Sequence, residues 1–204
     1  MSGFNKIFTE LVNSFSRFPG IGRRSAERIV FYLLKMPADQ LNDLAAKISE
    51  IPQHLKPCGL CNNFSSGDLC SVCADTRRDK EVICIVEEPK DIIAVEKTSH
   101  FNGQYYVLLG AVSPVDGING EDLNVGKLLY RLQKGEIKEV IIATDPDTDG
   151  ELTAQYLIEK ISSCKVKIYR IAIGVPMGTQ IEYIDSGTLG KAILDKKELK
   201  GHNT

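Results

Sequence analysis

The sequence predicts a multidomain protein of mixed α+β and α/β class. Three features of its 204 residues carry that reading. The first fifty or so residues place apolar side chains at helical spacing. Residues 52–80 are poor in apolar residues and hold four of the six cysteines. From residue 81 onward, short β-rich apolar runs alternate with helical patterns, the signature of a layered βαβ domain around a mostly parallel sheet. The expected division is a helical unit over 1–53, a small cysteine module over 54–80, a βαβ domain over 81–174 and a short C-terminal segment over 175–204. A hydrophobic fraction of 43% can supply a core, and a charged fraction of 25% argues against a wholly disordered chain.

The elements follow in order. Phe4, Ile7, Phe8, Leu11, Val12 and Phe15 recur at helical spacing and predict an amphipathic helix over 4–15. Pro19-Gly20-Ile21-Gly22 predicts a turn. A second helix is expected from about Arg23 to Lys35, burying Ala26, Ile29, Val30, Leu33 and Leu34, with Met36-Pro37 ending it. Residues 39–50 repeat the pattern through Leu41, Leu44, Ala45 and Ile48. In the second half, strands are expected at 82–86, 105–109, 139–143 and 166–173, and helices at about 91–97, 122–134 and 151–162. The tail, 191–204, is rich in Lys, and its last residues are expected to be mobile.

Net charge is −2, but it is unevenly spread. Residues 1–80 carry 11 Lys and Arg against 8 Asp and Glu; residues 81–204 carry 14 against 19. Five basic residues and one acid fall within 17–35. A short, strongly basic segment inside an otherwise acidic chain marks a local anion-binding surface. The apolar runs VICIV, YYVLLGAV and EVIIAT are too short to span a bilayer. MSGFNKIFTE has no long apolar stretch of the secretory kind, so a cytoplasmic protein without a membrane partner is expected.

Cys58-Gly-Leu-Cys61 and Cys70-Ser-Val-Cys73 are two CxxC pairs separated by eight residues. Each pair forms a tight knuckle that aims two sulfurs at one point, and four thiolates close a tetrahedral zinc shell with no open position for water. Such a site is structural and supplies the folding energy that 52–80 otherwise lack. The competing reading, redox-active pairs or disulfides, is disfavoured by the expected reducing compartment and by the close spacing. Cys84 and Cys164 read as ordinary, partly buried cysteines.

In Phe18-Pro19-Gly20-Ile21-Gly22-Arg23-Arg24-Ser25-Ala26, Gly20 and Gly22 allow a tight turn with exposed N–H groups. The helix that follows offers unpaired donors and a partial positive charge at its N-terminus, beside Arg23, Arg24 and Arg28. This arrangement grips a sugar–phosphate backbone and reads no base. It resembles the helix-hairpin-helix motif of DNA repair proteins. The alternative is a helix–turn–helix corner whose glycines serve packing alone.

Ile83-Cys84-Ile85-Val86-Glu87-Glu88-Pro89-Lys90-Asp91 and Ile141-Ile142-Ala143-Thr144-Asp145-Pro146-Asp147-Thr148-Asp149-Gly150-Glu151 are apolar strands that end in acids. Functional side chains of a parallel sheet sit just past the carboxyl ends of its strands. Alternation of Asp145, Asp147 and Asp149 would set several carboxylates on one side of an extended segment. Such a cluster repels itself unless a hard cation such as Mg²⁺ or Mn²⁺ neutralises it. The alternative is a solvated turn whose second acid starts a helix.

Together, a strand ending in Glu87 and a second ending in Asp145-x-Asp147 resemble the Toprim domain of topoisomerases and primases. The order helix-hairpin-helix, four-cysteine zinc finger, Toprim resembles the RecR family of recombination mediators. FPGIGRRSAERIVFYLL, CGLC…CSVC, VEEPKDIIAVE, LLGAVSPVDGI, IATDPDTDGELTAQYL and RIAIGVPMGTQIEYIDSGTLGKAI carry the resemblance across most of 15–194. It implies a non-enzymatic, nucleoid-associated protein. It also implies binding of single-stranded, double-stranded or gapped DNA without sequence preference, a homotetrameric ring, and action with RecO, and with RecF, to load RecA. It places DNA contacts at Gly20, Gly22, Arg23 and Arg24, with Arg28 beside them, and zinc on Cys58, Cys61, Cys70 and Cys73. It places a partner-binding acidic face at Glu87 and Asp91, and oligomer contacts in Gly174-Val175-Pro176 to Gly190. One departure matters: many members carry a depleted second acidic motif, closer to NPTVEGE, whereas this chain has DPDTDGE. All the carboxylates for Mg²⁺ are present.

Two other functions compete. A metal-dependent Toprim nuclease would use Glu87, Asp145, Asp147 and Asp149 to hold metal and activate water. A topoisomerase would need a tyrosine nucleophile on a further domain, and none of the seven tyrosines has a recognisable active-site context. A pure adaptor would reach DNA only through its partners.

Overall fold

The computed structural model describes residues 5–196. Phe4 and the final residues of the tail lie outside that range. The chain forms two compact units, divided between His54 and Leu55.

The first unit is helical. Helix α1 spans Lys6–Phe15, and Asn5 caps it by accepting from the Ile7 N–H at 3.0 Å. Helix α2 spans Arg23–Leu33 and helix α3 spans Ala38–His54. The core is small: Val12 from α1 closes on Ala26 and Val30 from α2, with Phe8, Phe15 and Ile21 around them. The Phe8 and Phe31 rings lie 5.1 Å apart.

Two expectations about burial need correction. Leu34 is 69% exposed, because α2 ends at Leu33 and Leu34 is its C-cap. Ile29 and Leu33 are not fully buried either. Helix α3 buries none of its residues, although Leu41, Leu44 and Ile48 repeat at the predicted spacing. Periodicity predicts an apolar face; it does not supply the surface that covers it.

The second unit opens with a small module. Strands β1 (Lys56–Pro57) and β2 (Phe64–Ser65) pair antiparallel, and a four-residue helix α4 (Ser71–Ala74) follows. The main sheet contains β3 (Val82–Val86), β4 (Gln104–Val107), β5 (Glu139–Ile142) and β6 (Lys167–Arg170). Its order is β4-β3-β5-β6 and every pairing is parallel. Helices α5 (Pro89–Lys97), α6 (Gly126–Gln133), α7 (Thr148–Ile161) and α8 (Ser186–Leu194) complete the unit.

Both faces of the sheet are buried at strands β3 and β4, whereas edge strand β6 leaves Lys167 and Tyr169 exposed. Ile83, Ile85, Tyr106, Val140 and Ile142 pack with Leu128 and Leu132 of α6 and Leu157 and Ile161 of α7. Cys84, Val86, Tyr105 and Val107 pack on the other face with Ile92 of α5. Burial on both sides explains why β3 reads as a continuous apolar run. Burial pushes the Cys84 thiol up to about 12, which makes it an inert core residue.

Local chemistry shifts several boundaries. Helix α5 starts at Pro89, two residues before the expected position, because Glu88 and Asp91 form a capping box and proline suits the first helical turn. The expected helix over 122–134 is a 3₁₀ turn at Gly120–Asp122 followed by α6, since Asn119 and Asp122 form their own capping box. Strand pairing of β6 stops at Arg170, and 171–173 continue without regular structure. No helix among the described residues is long and apolar enough to cross a membrane.

Candidate functional site

Three groups of residues stand out. In the first, Cys58, Cys61, Cys70 and Cys73 are buried, and their sulfurs all lie within 4.8 Å of one another. None is in a disulfide. A tetrahedral zinc with Zn–S bonds of about 2.3 Å sets sulfurs about 3.8 Å apart. The Cys61 and Cys70 sulfurs are 3.6 Å apart, so the donor set fits that ion. The Cys70 N–H donates to the Cys58 sulfur at 3.3 Å, a bond that favours thiolate. Hydrogen bonding with Cys73 brings the Cys61 thiol down to about 6, while Cys73 and Cys70 are pushed up. Four thiols confined together cannot all ionise without a cation among them.

The second group lies at the start of α2. Gly20 has φ +74°, a left-handed conformation that disfavours any side chain, so the turn requires it. Gly22 differs from expectation. It is the N-cap of α2 with φ −75°, and a Cβ there would meet nothing within 4 Å. Its role is to leave the helix end bare, for no side chain caps α2. The Arg23 guanidinium lies 3.4 Å from Glu27, an exposed pair of little strength. Arg24 and Arg28 form no ion pair among the described residues. Arg28 shares a surface hollow of 460 Å³ with Ser25, Ile29 and Tyr32.

The third group lies past the carboxyl ends of β3 and β5, which are neighbours in the sheet. Glu87 Oε1 accepts from the Asp145 N–H at 3.0 Å and so ties the two strand ends together. The Glu87 carboxyl is raised above the usual range by partial burial, then by repulsion from Asp145, Asp147 and Asp91; the Asp145 N–H opposes this. Extended alternation of Asp145, Asp147 and Asp149 does not occur. Asp147 is the N-cap of α7 and accepts from the Gly150 N–H at 2.8 Å, so the helix begins at Thr148 and carries Asp149 into its first turn. Asp91 accepts from the Glu88 N–H at 2.8 Å in the α5 capping box. Among the described residues, the only group of three or more potential ligands within reach of one ion is the cysteine cluster.

Four family models match the chain in succession. They are the RecR helix-hairpin-helix over 8–51, the RecR four-cysteine zinc finger domain over 55–75, the Toprim domain over 81–172 and the RecR C-terminal model over 174–197. The chain is 48% identical to Recombination protein RecR of Moorella thermoacetica over 191 residues, 94% of this chain and 96% of that one. It is 44% identical to the protein of the same name from Tropheryma whipplei over 188 residues, 92% and 95% of the two chains. For the Acidothermus cellulolyticus protein the identity is 42% over 196 residues, 96% and 98% of the two chains. The chain belongs to the RecR family.

Membership assigns this RecR chain to recombinational DNA repair and gives it a four-cysteine metal-binding site, a helix-hairpin-helix and a Toprim fold. Beside these groups of the RecR chain the structure places residues that sequence patterns do not single out. Arg170, the last residue of β6, donates to the carbonyls of Ile142 at 3.2 Å, Thr144 at 2.8 Å and Asp145 at 3.2 Å, and to Glu151 at 2.9 Å. It fastens the acid-bearing loop to the sheet, although its Nε is buried without a partner. Thr144 is buried and donates to the Gly150 carbonyl at 2.7 Å. Tyr32 stands one helical turn beyond Arg28 in the same hollow. No short-range signal points to Arg170; Tyr32 is legible only as an i+4 neighbour of Arg28.

The raised Glu87 carboxyl has a testable consequence for this RecR chain. The folded state holds that proton more tightly than the unfolded chain does. Stability therefore falls as pH rises through the unfolded carboxylate range toward the folded value. Glu87→Gln keeps an oxygen for the Asp145 N–H and removes the charge. The melting temperature at neutral pH is expected to rise slightly, and the difference should vanish on acidification. A variant that melts below wild type at pH 7 would contradict the raised Glu87 carboxyl.

Proposed function

We propose that this RecR chain is a non-catalytic, DNA-binding mediator: an oligomeric clamp, tetrameric as the family resemblance implies, that acts with RecO, and with RecF, to promote RecA loading on gapped or single-stranded DNA. The observation that carries the reading is the bare N-terminus of α2, beside Arg23, Arg24 and Arg28. An uncapped helix end and clustered guanidinium groups suit phosphates of any sequence, in single or double strands. In this reading residues 1–53 grip DNA, 54–80 hold structural zinc, 81–174 present acids to a basic partner such as RecO, and 175–204 contribute oligomer contacts. The protein works in the cytoplasm, on the nucleoid.

The acidic balance of 81–204 would repel DNA. A ring resolves the conflict if basic hairpins face its lumen and the acids face partners. The carboxylates of Asp91 and Asp147 already accept helix N–H groups, which supports a partner-facing surface over a nuclease centre. Mg²⁺ at Glu87, Asp145, Asp147 and Asp149 belongs to the nuclease alternative.

The test incubates purified protein with labelled gapped DNA, with and without Mg²⁺ or Mn²⁺, and runs native and denaturing gels. Shifted but intact DNA is expected. Arg23→Glu combined with Arg24→Glu should lower affinity by about two orders of magnitude at low salt and flatten the salt dependence. Unchanged affinity would remove the α2 assignment, and cleavage abolished by Asp145→Asn would establish the nuclease instead.

A further inference from the structure

The cysteine centre is bonded to the open edge of the main sheet. Strand β4 is an edge strand, and the Leu108 N–H just beyond it donates to Val86 of β3. By strand alternation the polar groups of Val107 turn the other way, where a further strand would pair. The first knuckle takes that place. The Val107 N–H donates to the Cys61 carbonyl at 2.8 Å, and Asn62 Nδ2 donates to the Val107 carbonyl at 3.1 Å. Asn62 is 1% exposed and has φ +62°, a left-handed conformation that Asn tolerates and most residues do not. Helix α6 holds the knuckle from outside: Lys127 donates to Asn62 Oδ1 at 3.3 Å and Arg131 to the Leu60 carbonyl at 3.2 Å. These cations also suit a site whose four thiolates and one zinc carry a net charge of about −2.

The bonded path continues. Two residues past Val107, the Leu109 N–H donates to the Glu87 carbonyl at 2.9 Å, and the Gly110 N–H reaches the same oxygen at 3.3 Å. Leu109 has φ +64°, an unfavourable conformation for a bulky side chain, so its surroundings must hold it. Glu87 in turn accepts the Asp145 N–H. A continuous path of hydrogen bonds and short backbone links therefore runs from the residue after Cys61 to both acid-bearing strand ends.

We propose that Asn62 is a positioning residue that makes the geometry of the Toprim acidic site depend on metal occupancy of the cysteine centre. With metal bound, the knuckle is rigid and pins Val107, and Leu109 and Gly110 clamp Glu87. Without metal the knuckle loosens, the edge of β4 opens, and the Glu87–Asp145 tie loses its support. The inference rests on the reading that the four cysteines hold zinc.

The test is amide hydrogen exchange of the full chain, with zinc content measured on every sample. Wild-type protein with zinc, chelator-treated wild type and zinc-loaded Asn62→Gly are compared; glycine keeps the left-handed backbone and removes the side chain. Exchange at Val107, Leu109, Gly110 and Asp145 is expected to rise about ten-fold in the last two samples, with β5–β6 pairing unchanged. Asn62→Asp, which keeps an acceptor for Lys127 and lacks the donor for Val107, serves if Asn62→Gly does not fold and should show the same rise. Wild-type exchange in the zinc-loaded variants would overturn the role of Asn62. Unaltered exchange after chelation would overturn the coupling. Wild-type protein purified without zinc would overturn the underlying reading and the inference with it.

Discussion

Cys61→Ser is expected to abolish stoichiometric zinc binding and to unfold residues 55–75. That segment has a two-stranded hairpin, a four-residue helix and no apolar core of its own. Its buried cluster is Cys58, Cys61, Cys70 and Cys73, with Val72 packed against them. Structural zinc contributes about 10–16 kcal/mol in isolated fingers, against the 5–15 kcal/mol or so that holds a whole domain together. Serine supplies neither a thiolate nor comparable affinity, and three remaining sulfurs leave the shell open. Metal should fall from about one ion per chain to none, and limited proteolysis should begin within 55–75. Because the knuckle also occupies the edge of β4, the loss should spread into the sheet, through the Val107 bonds first. A variant that keeps both its metal and its resistance to protease would show that the cysteines are not the ligands.

What the sequence reveals and what it conceals follow from the range of the interactions involved. The cysteine pairs are legible because their spacing is itself the geometry of a knuckle. The strands β3 and β5 are legible because burial on both faces leaves an uninterrupted apolar run. The basic N-terminus of α2 follows from a turn and a helix contiguous in sequence. The failures lie where one residue serves a distant one. Arg170 fastens a loop 25 residues upstream, and Asn62 bonds to a strand 45 residues downstream. At Asp147 the sequence leaves two readings open, a carboxylate in an alternating run or an acid that starts a helix, and the structure shows the helix cap. The apolar stripe of α3 reads as core and stays open to solvent among the described residues.

Gly150 gives the sharpest contrast between local and tertiary control. It lies in the first turn of α7, where propensity alone favours alanine by about 1 kcal/mol. The packing opposes that preference. A Cβ on Gly150 would sit 2.0 Å from the carbonyl oxygen of Asp145, and 2.8 and 2.9 Å from its carbonyl carbon and nitrogen. Those are backbone atoms, fixed by the bond from the Asp145 N–H to Glu87 and by the Arg170 clamp, so they cannot rotate away. The glycine is further held by its N–H to Asp147 at 2.8 Å and its carbonyl to Thr144 at 2.7 Å. Gly150→Ala must push α7 from the sheet or break the Glu87–Asp145 tie. Either route costs about 3 kcal/mol net, which lowers the melting temperature by about 6–12 °C in a chain of this size. Gly126→Ala is the matched control: it is also in a first helical turn, and its Cβ would meet nothing within 4 Å. It should melt at or slightly above wild type. Equal melting of the two variants would mean that the loop bearing Asp145 yields easily, and that the acidic site is not held by the close approach of α7.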